Sequence, residues 1–321
     1  MSRESIEEKD VIVLGQESFY RWETPYQDGT KDEVDAGTGL RVLQVNSLPS
    51  LIQAVGYLKY TLNSEGCDVY YRGQNKLYST PGIARGKYLF QASALRGVQT
   101  DDAAKKSFDR VATKVEILKK MIPPKSLPAT CADFQHKDDV LEGLLQQYGF
   151  DTAWLDVVDN LWVALWFACF ENDKAIRSDS TGRPENARAY YHMVLRECVP
   201  EEYAYIILLK SQRSGYALTD SFPLTKTLDL RSELPSIFIR PHVQHGLLFK
   251  PSEKSKYNMA DLICGIIRIN LKDAIKWMGE GRILTAESMV PPPNYDFGFR
   301  CLLDAEEICA ECKPLKFPIY C

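Results

Sequence analysis

The spacing of apolar residues changes several times along this chain, and each change marks an element. Leu51, Ala54, Val55 and Leu58 fall on one helical face, which predicts a helix over 48–63 with Ser47 as its cap. Phe108, Val111, Val115 and Leu118 repeat that spacing, predicting a second helix over 101–121 that Asp101 caps and the proline-rich PPKSLPAT ends. Runs rich in branched and aromatic residues without a helical period predict strands at 40–45, 68–72, 187–195, 204–209, 236–240, 246–249 and 262–269. A helix at 271–278, a proline-rich loop at 290–294, a helix at 303–312 and a last strand reaching Ile319 complete the reading.

The densest punctuation lies in LLQQYGFDTAWLDVVDNLWVALWFACFE, from Leu144 to Glu171. Gly149 suits the stop of one helix because it takes positive φ without a Cβ penalty, and Asp159 or Asn160 suits the cap of the next. Between them 152–157 reads as a strand. The helix that follows, 161–170, is apolar nearly all round, so Trp162, Trp166, Phe167 and Phe170 are expected in the core. Asp156 sits in the strand between Leu155 and Val157, and a carboxylate placed there needs donors and marks a site or a clamp.

Helices early and strands late, without strict alternation, predict an α+β fold whose sheet is antiparallel. Residues 1–39, polar and rich in Gly and Asp toward their end, read as an N-terminal extension with room for one strand, and 40–321 as one domain. Residues 177–186 read as a polar loop. A net charge of −4 argues against bulk electrostatic binding of nucleic acid and leaves only a local basic pocket. Nine cysteines at irregular spacing, with no secretory leader, predict free thiols and a cytoplasmic protein. The longest apolar run, 161–170, is far short of the roughly eighteen residues of a membrane span, so no membrane is expected. Cys309 and Cys312 form a C-x-x-C with no second pair, and no metal is expected there.

Three blocks in order carry a resemblance: YRGQ followed by TPGIARG, then QQYGFDTAWLDVVDNLWVALWFA, then IRPHVQHGLLF. Together they resemble the FRG domain family over about 40–299. The matching positions are Tyr71, Arg72, Gly73 and Gln74; Arg85; Tyr148, Gly149, Thr152, Leu155 and Asp156; and Arg240, Gln244, Gly246 and Phe249. Ala153, Val157 and His245 stand where the family pattern has Arg, Trp and a second Gln. The blocks are also similar to the three-part site of ADP-ribosyltransferases of the Arg-Ser-Glu type, with Asp156 at the first Ser and Gln244 or His245 where that site has its Glu.

What the resemblance implies is a transferase-like split β-sheet core, with helices inserted between the site-bearing strands, and NAD as substrate. Its catalytic candidates are Arg72, Asp156, Gln244 and His245. Its NAD-binding candidates are Tyr71, Arg72, Gly73, Gln74, Arg85, Thr152 and Arg240. The implied protein is a toxin or phage-defence effector, restrained by an antitoxin or chaperone, that passes ADP-ribose to a nucleic acid or protein. The alternative is a non-catalytic module that uses the same cleft to bind a nucleotide, a nucleic acid or a partner protein.

Overall fold

A computed structural model describes residues 30–35, 40–64, 66–78, 90–98, 100–122, 134, 136–177, 188–212, 225–251, 259–309 and 315–320. In chain order the elements are β1 (Thr30–Val34), β2 (Arg41–Val45), α1 (Leu48–Ser64), β3 (Cys67–Gln74), α2 (Asp101–Met121) and α3 (Asp138–Gln147). There follow β4 (Leu155–Val158), α4 (Leu161–Cys169), β5 (Phe170–Arg177), β6 (Arg188–Leu195), β7 (Tyr203–Gln212) and β8 (Thr225–Asp229). The rest are α5 (Leu230–Glu233), α6 (Ile239–Val243), β9 (Gly246–Pro251), β10 (Ile263–Asn270), α7 (Leu271–Trp277), α8 (Ala286–Met289), α9 (Phe297–Ile308) and β11 (Ile319–Tyr320). The fold is α+β.

Eight strands form one mixed sheet in the order β1-β2-β10-β7-β3-β4-β9-β8, and three form a second, β11-β6-β5. Neighbours are antiparallel except for β2 with β10 and β6 with β11, which are parallel, so the expectation of an antiparallel sheet holds only in part. The period of two along β7 explains its central place: Ile206 and Leu208 join the core beneath α1, α4 and α7, while Tyr205, Ile207 and Leu209 join a core on the opposite face with Phe90 and Leu95. A third core packs α2, α3 and α9 around Leu144, Tyr148, Trp154 and Phe299.

Several local expectations are corrected by longer-range contacts. Thr100, not Asp101, caps α2, its side chain accepting from the Ala103 N–H. The run at 236–240 is not a strand: it holds a turn and the start of α6, because Asp296 receives the backbone N–H groups of Ile239 and Arg240 from far along the chain. Residues 170–177, with the polar run Glu171–Lys174 at their centre, form β5 at the edge of the small sheet, where alternation is not required. The last helix begins at Phe297, six residues before its expected start, because Asp296 caps it through the Phe299 N–H. Of the four aromatics expected in the core, Trp166 and Phe170 are buried, whereas Phe167 is half-buried and Trp162 is 37% exposed. Cys309 is disulfide-bonded, against the expectation of free thiols throughout, whereas Cys67, Cys169, Cys198, Cys264 and Cys301 form no disulfide. Among the described residues no helix is long and apolar enough to cross a membrane.

Candidate functional site

The site begins with the close approach of β3 to α4. Gly73 lies so near the helix that a Cβ there would fall 1.8 Å from the carbonyl oxygen of Ala164, so only glycine admits this contact. Asn160 starts α4 at a fixed point by accepting the N–H groups of Trp162 and Val163. With β3 held against α4, Arg72 reaches across to β4, its Nη1 donating to the backbone carbonyl of Asp156 at 2.6 Å.

Around this junction opens a cleft of about 530 Å³. The large sheet lines it with Tyr71, Arg72, Gly73, Gln74, Asp156 and Gly246. Gln146 and Gln147 enter from α3, Phe167 from α4, Arg240 from α6, and Gln244 from the turn before β9. The small sheet forms a wall with Phe170, Glu171, Met193 and Tyr320. A concave site at the meeting of two sheets, with convergent polar groups, is where a ligand is expected.

Asp156 is held by a relay. Thr152 donates its hydroxyl to Gln146 Oε1, which fixes that amide so that its Nε2 donates to Asp156 Oδ2 at 2.7 Å. Burial raises the Asp156 pKa above its ordinary 3.8, and the charge of Arg72, the Gln146 amide and the charge of Arg96 oppose the rise. A carboxyl that holds its proton more tightly when folded stabilises the protein below the ordinary value and loses that contribution as pH climbs through the raised one. Asp156→Asn is therefore expected to melt higher than the wild type at about pH 7 and to lose that advantage at about pH 3.5. Thermal melts of both proteins at the two pH values check this, and an advantage of equal size at both would remove burial as the cause.

Arg240 has a different setting. It is 1% exposed, and its guanidinium carbon lies 4.7 Å from the Tyr148 ring centre, 5.1 Å from that of Phe299 and 4.2 Å from that of Tyr320. Nη1 donates to the Gln147 carbonyl at 3.0 Å, but Nε and Nη2 are buried with no partner. A buried donor left without an acceptor costs about 1–3 kcal/mol, and more when charged. Asp296, 0% exposed, fixes the start of α6 through the backbone of Arg240 and accepts the Tyr148 hydroxyl at 2.6 Å.

Of the residues singled out in the sequence, Tyr71, Arg72, Gly73, Gln74, Asp156, Arg240 and Gln244 all line this one cleft. Gln244 is also a clamp, its Nε2 donating to the Met289 carbonyl at 2.6 Å. Thr152 is fully buried behind Gln146 and does not reach the cleft lining, so its contact with the site runs through that amide. His245 is not brought to the lining either. It takes a positive φ of 51° in the turn after α6, and its Nδ1 lies 3.1 Å from both Asp159 Oδ1 and Arg231 Nη1. Arg85 lies outside the described residues. The sequence reading missed Gln146, Gln147, Glu171 and Tyr320. Gln146 and Gln147 stood in the quoted QQYG, whereas Glu171 and Tyr320 carried no local signal because their place depends on the small sheet.

Among the described residues no group of three or more His, Cys, Asp or Glu is arranged to hold a metal. What the cleft offers is three guanidiniums, from Arg72, Arg96 and Arg240, carboxylates at Asp156 and Glu171, and six side-chain amides, a set suited to a polar anionic ligand. Compared with models of protein families, with curated proteins and with solved structures, the chain matches none.

Proposed function

We propose that the cleft binds NAD and breaks its nicotinamide–ribose bond, passing ADP-ribose to a macromolecular acceptor, protein or nucleic acid. The observation that carries this reading is the convergence of Arg72, Asp156 and Gln244, far apart in sequence, on one cleft between two sheets. Arg72 lies on β3, Asp156 on β4 and Gln244 in the turn that leads into β9; these three strands are neighbours in the large sheet, and β5, β6 and β11 face them across the cleft. On this reading the pair of sheets is the split core of an ADP-ribosyltransferase. Cleavage sends the C1′–N electron pair to the departing nicotinamide and leaves positive charge on the ribose. Arg72 holds the diphosphate, the amides of Gln146 and Gln147 hold ribose hydroxyls, and the carboxylates of Asp156 and Glu171 face the developing charge.

An enzyme of this kind in a cytoplasm depletes NAD or modifies essential macromolecules, and so acts as a toxin or phage-defence effector that an antitoxin or chaperone must restrain. One specific observation favours the alternative of a binding module for a nucleotide, a nucleic acid or a partner protein. The third block supplies no carboxylate to the cleft: Gln244 is tied to Met289, and His245 is turned to Asp159 and Arg231. NAD labelled in its adenine, incubated with the protein and a cell lysate, separates the two readings. Label is expected in the protein or the RNA fraction, and label that stays wholly in intact NAD leaves the binding module.

A further inference from the structure

We propose that Arg240 and Gln147 form a covered subsite for a sugar phosphate, which Tyr320 closes in the unliganded protein. The proposal deepens the nucleotide reading of the same cleft and rests on it for the identity of the ligand. Three observations meet here. Arg240 keeps its Nε and Nη2 without a partner, and these two N–H groups form the edge of a guanidinium that receives two oxygens of one anion side by side. Gln147 Oε1, also buried and without a partner, is an acceptor in the same lining, so the ligand must bring a hydroxyl or N–H donor as well as an oxyanion. A phosphate ester of a sugar carries both.

Tyr320 covers Arg240. Its ring centre lies 4.2 Å from the Arg240 guanidinium carbon, and it stacks on Tyr191 at 5.1 Å with an interplanar angle of 21°. The strand that carries it, β11, is only two residues long and pairs with β6 at one edge of the small sheet. The segment is anchored just before β11 by the fully buried Leu315 and Phe317, so what yields is the Tyr320 side chain, whose aromatic face is exchanged for an anion that makes stronger, charge-assisted bonds. The rings of Tyr148 and Phe299 remain in place beneath, because both lie in the core of α3 and α9.

The test is calorimetric titration of the full chain with ribose 5-phosphate, with orthophosphate and ribose as separate arms. Tyr320→Ala is expected to bind ribose 5-phosphate about tenfold more tightly than the wild type, the size of a moderate cation–π contact removed from the competing closed state. Arg240→Lys in that background, which keeps charge and loses the two-pronged edge, is expected to abolish the gain. Should Arg240→Lys melt far below the wild type, Gln147→Leu serves instead, and ribose 5-phosphate is expected to bind it no better than orthophosphate. Unchanged affinity in Tyr320→Ala, or a gain that survives Arg240→Lys, overturns the subsite. Sugar-phosphate binding by a protein that never cleaves NAD keeps the subsite and removes the transferase. Release of nicotinamide without sugar-phosphate binding in any variant does the reverse.

Discussion

Gly73→Ala is expected to destabilise the protein by at least about 3 kcal/mol, beyond the usual range for one added methyl group. The new Cβ would meet backbone on every side: the carbonyl oxygen of Ala164 at 1.8 Å, its carbonyl carbon at 2.8 Å and the nitrogen of Ala168 at 2.9 Å. A flexible side chain could swing away from such a clash, but a helix backbone cannot. Either β3 or α4 must move, and both belong to the same core through Tyr71, Ala164 and Ala168. Gly56 makes the fitting control. It lies within α1, and a Cβ there would meet nothing within 4 Å. Gly56→Ala is expected to gain about 0.5–1 kcal/mol from helix propensity alone. Denaturant unfolding of the three proteins checks the contrast, and a loss under 1 kcal/mol for Gly73→Ala would mean that β3 and α4 are not locked together.

The second large effect is expected at Asp296. Its two oxygens accept the Tyr148 hydroxyl at 2.6 Å, the Phe299 N–H at 3.0 Å, and the N–H groups of Ile239 and Arg240 at 3.3 Å each. One carboxylate thus starts α6, caps α9 and anchors the end of α3. Asp296→Ala leaves those donors buried without acceptors and is expected to cost at least about 4 kcal/mol, whereas Tyr148→Phe, which removes one bond and its donor together, costs about 1 kcal/mol. Because Arg240 rides on α6, the alanine variant should also lose ligand affinity at the cleft. Equal unfolding midpoints for the two variants would show that Asp296 acts only through Tyr148.

Much of this arrangement was written locally. Gly149 ends its turn with a φ of 92°, Asn160 caps α4, and Asp156 lies in a strand between two others, each as its immediate neighbours imply. The order of three blocks was enough to expect Arg72, Asp156 and Gln244 in one place. What was not legible depends on partners far away in sequence. Branched Ile237 and Ile239 gave 236–240 the look of a strand, and only Asp296, 57 residues beyond Ile239, turns it into a helix start. Arg240 stood among the NAD-binding candidates without any sign of its surroundings, and it is caged by the rings of Tyr148, Phe299 and Tyr320. His245 looked like a base beside Gln244, but a left-handed turn directs it to Asp159 and Arg231. Burial raises the Asp159 pKa, but the hydrogen bond and charge of Arg231, and then the contact with His245, outweigh it and hold that carboxyl below its ordinary 3.8, so Asp159 is occupied with Arg231 and His245 rather than with the cleft.

Cleavage of NAD is measured most directly as release of nicotinamide by the purified protein, followed by chromatography beside Arg72→Ala at equal concentration and equal thermal stability. Steady release is expected from the wild type and a loss of about a thousandfold in the variant, the scale on which removing one charged stabilising group acts. No release by the wild type under any acceptor supplied, or release undiminished in Arg72→Ala, would contradict the proposed cleavage.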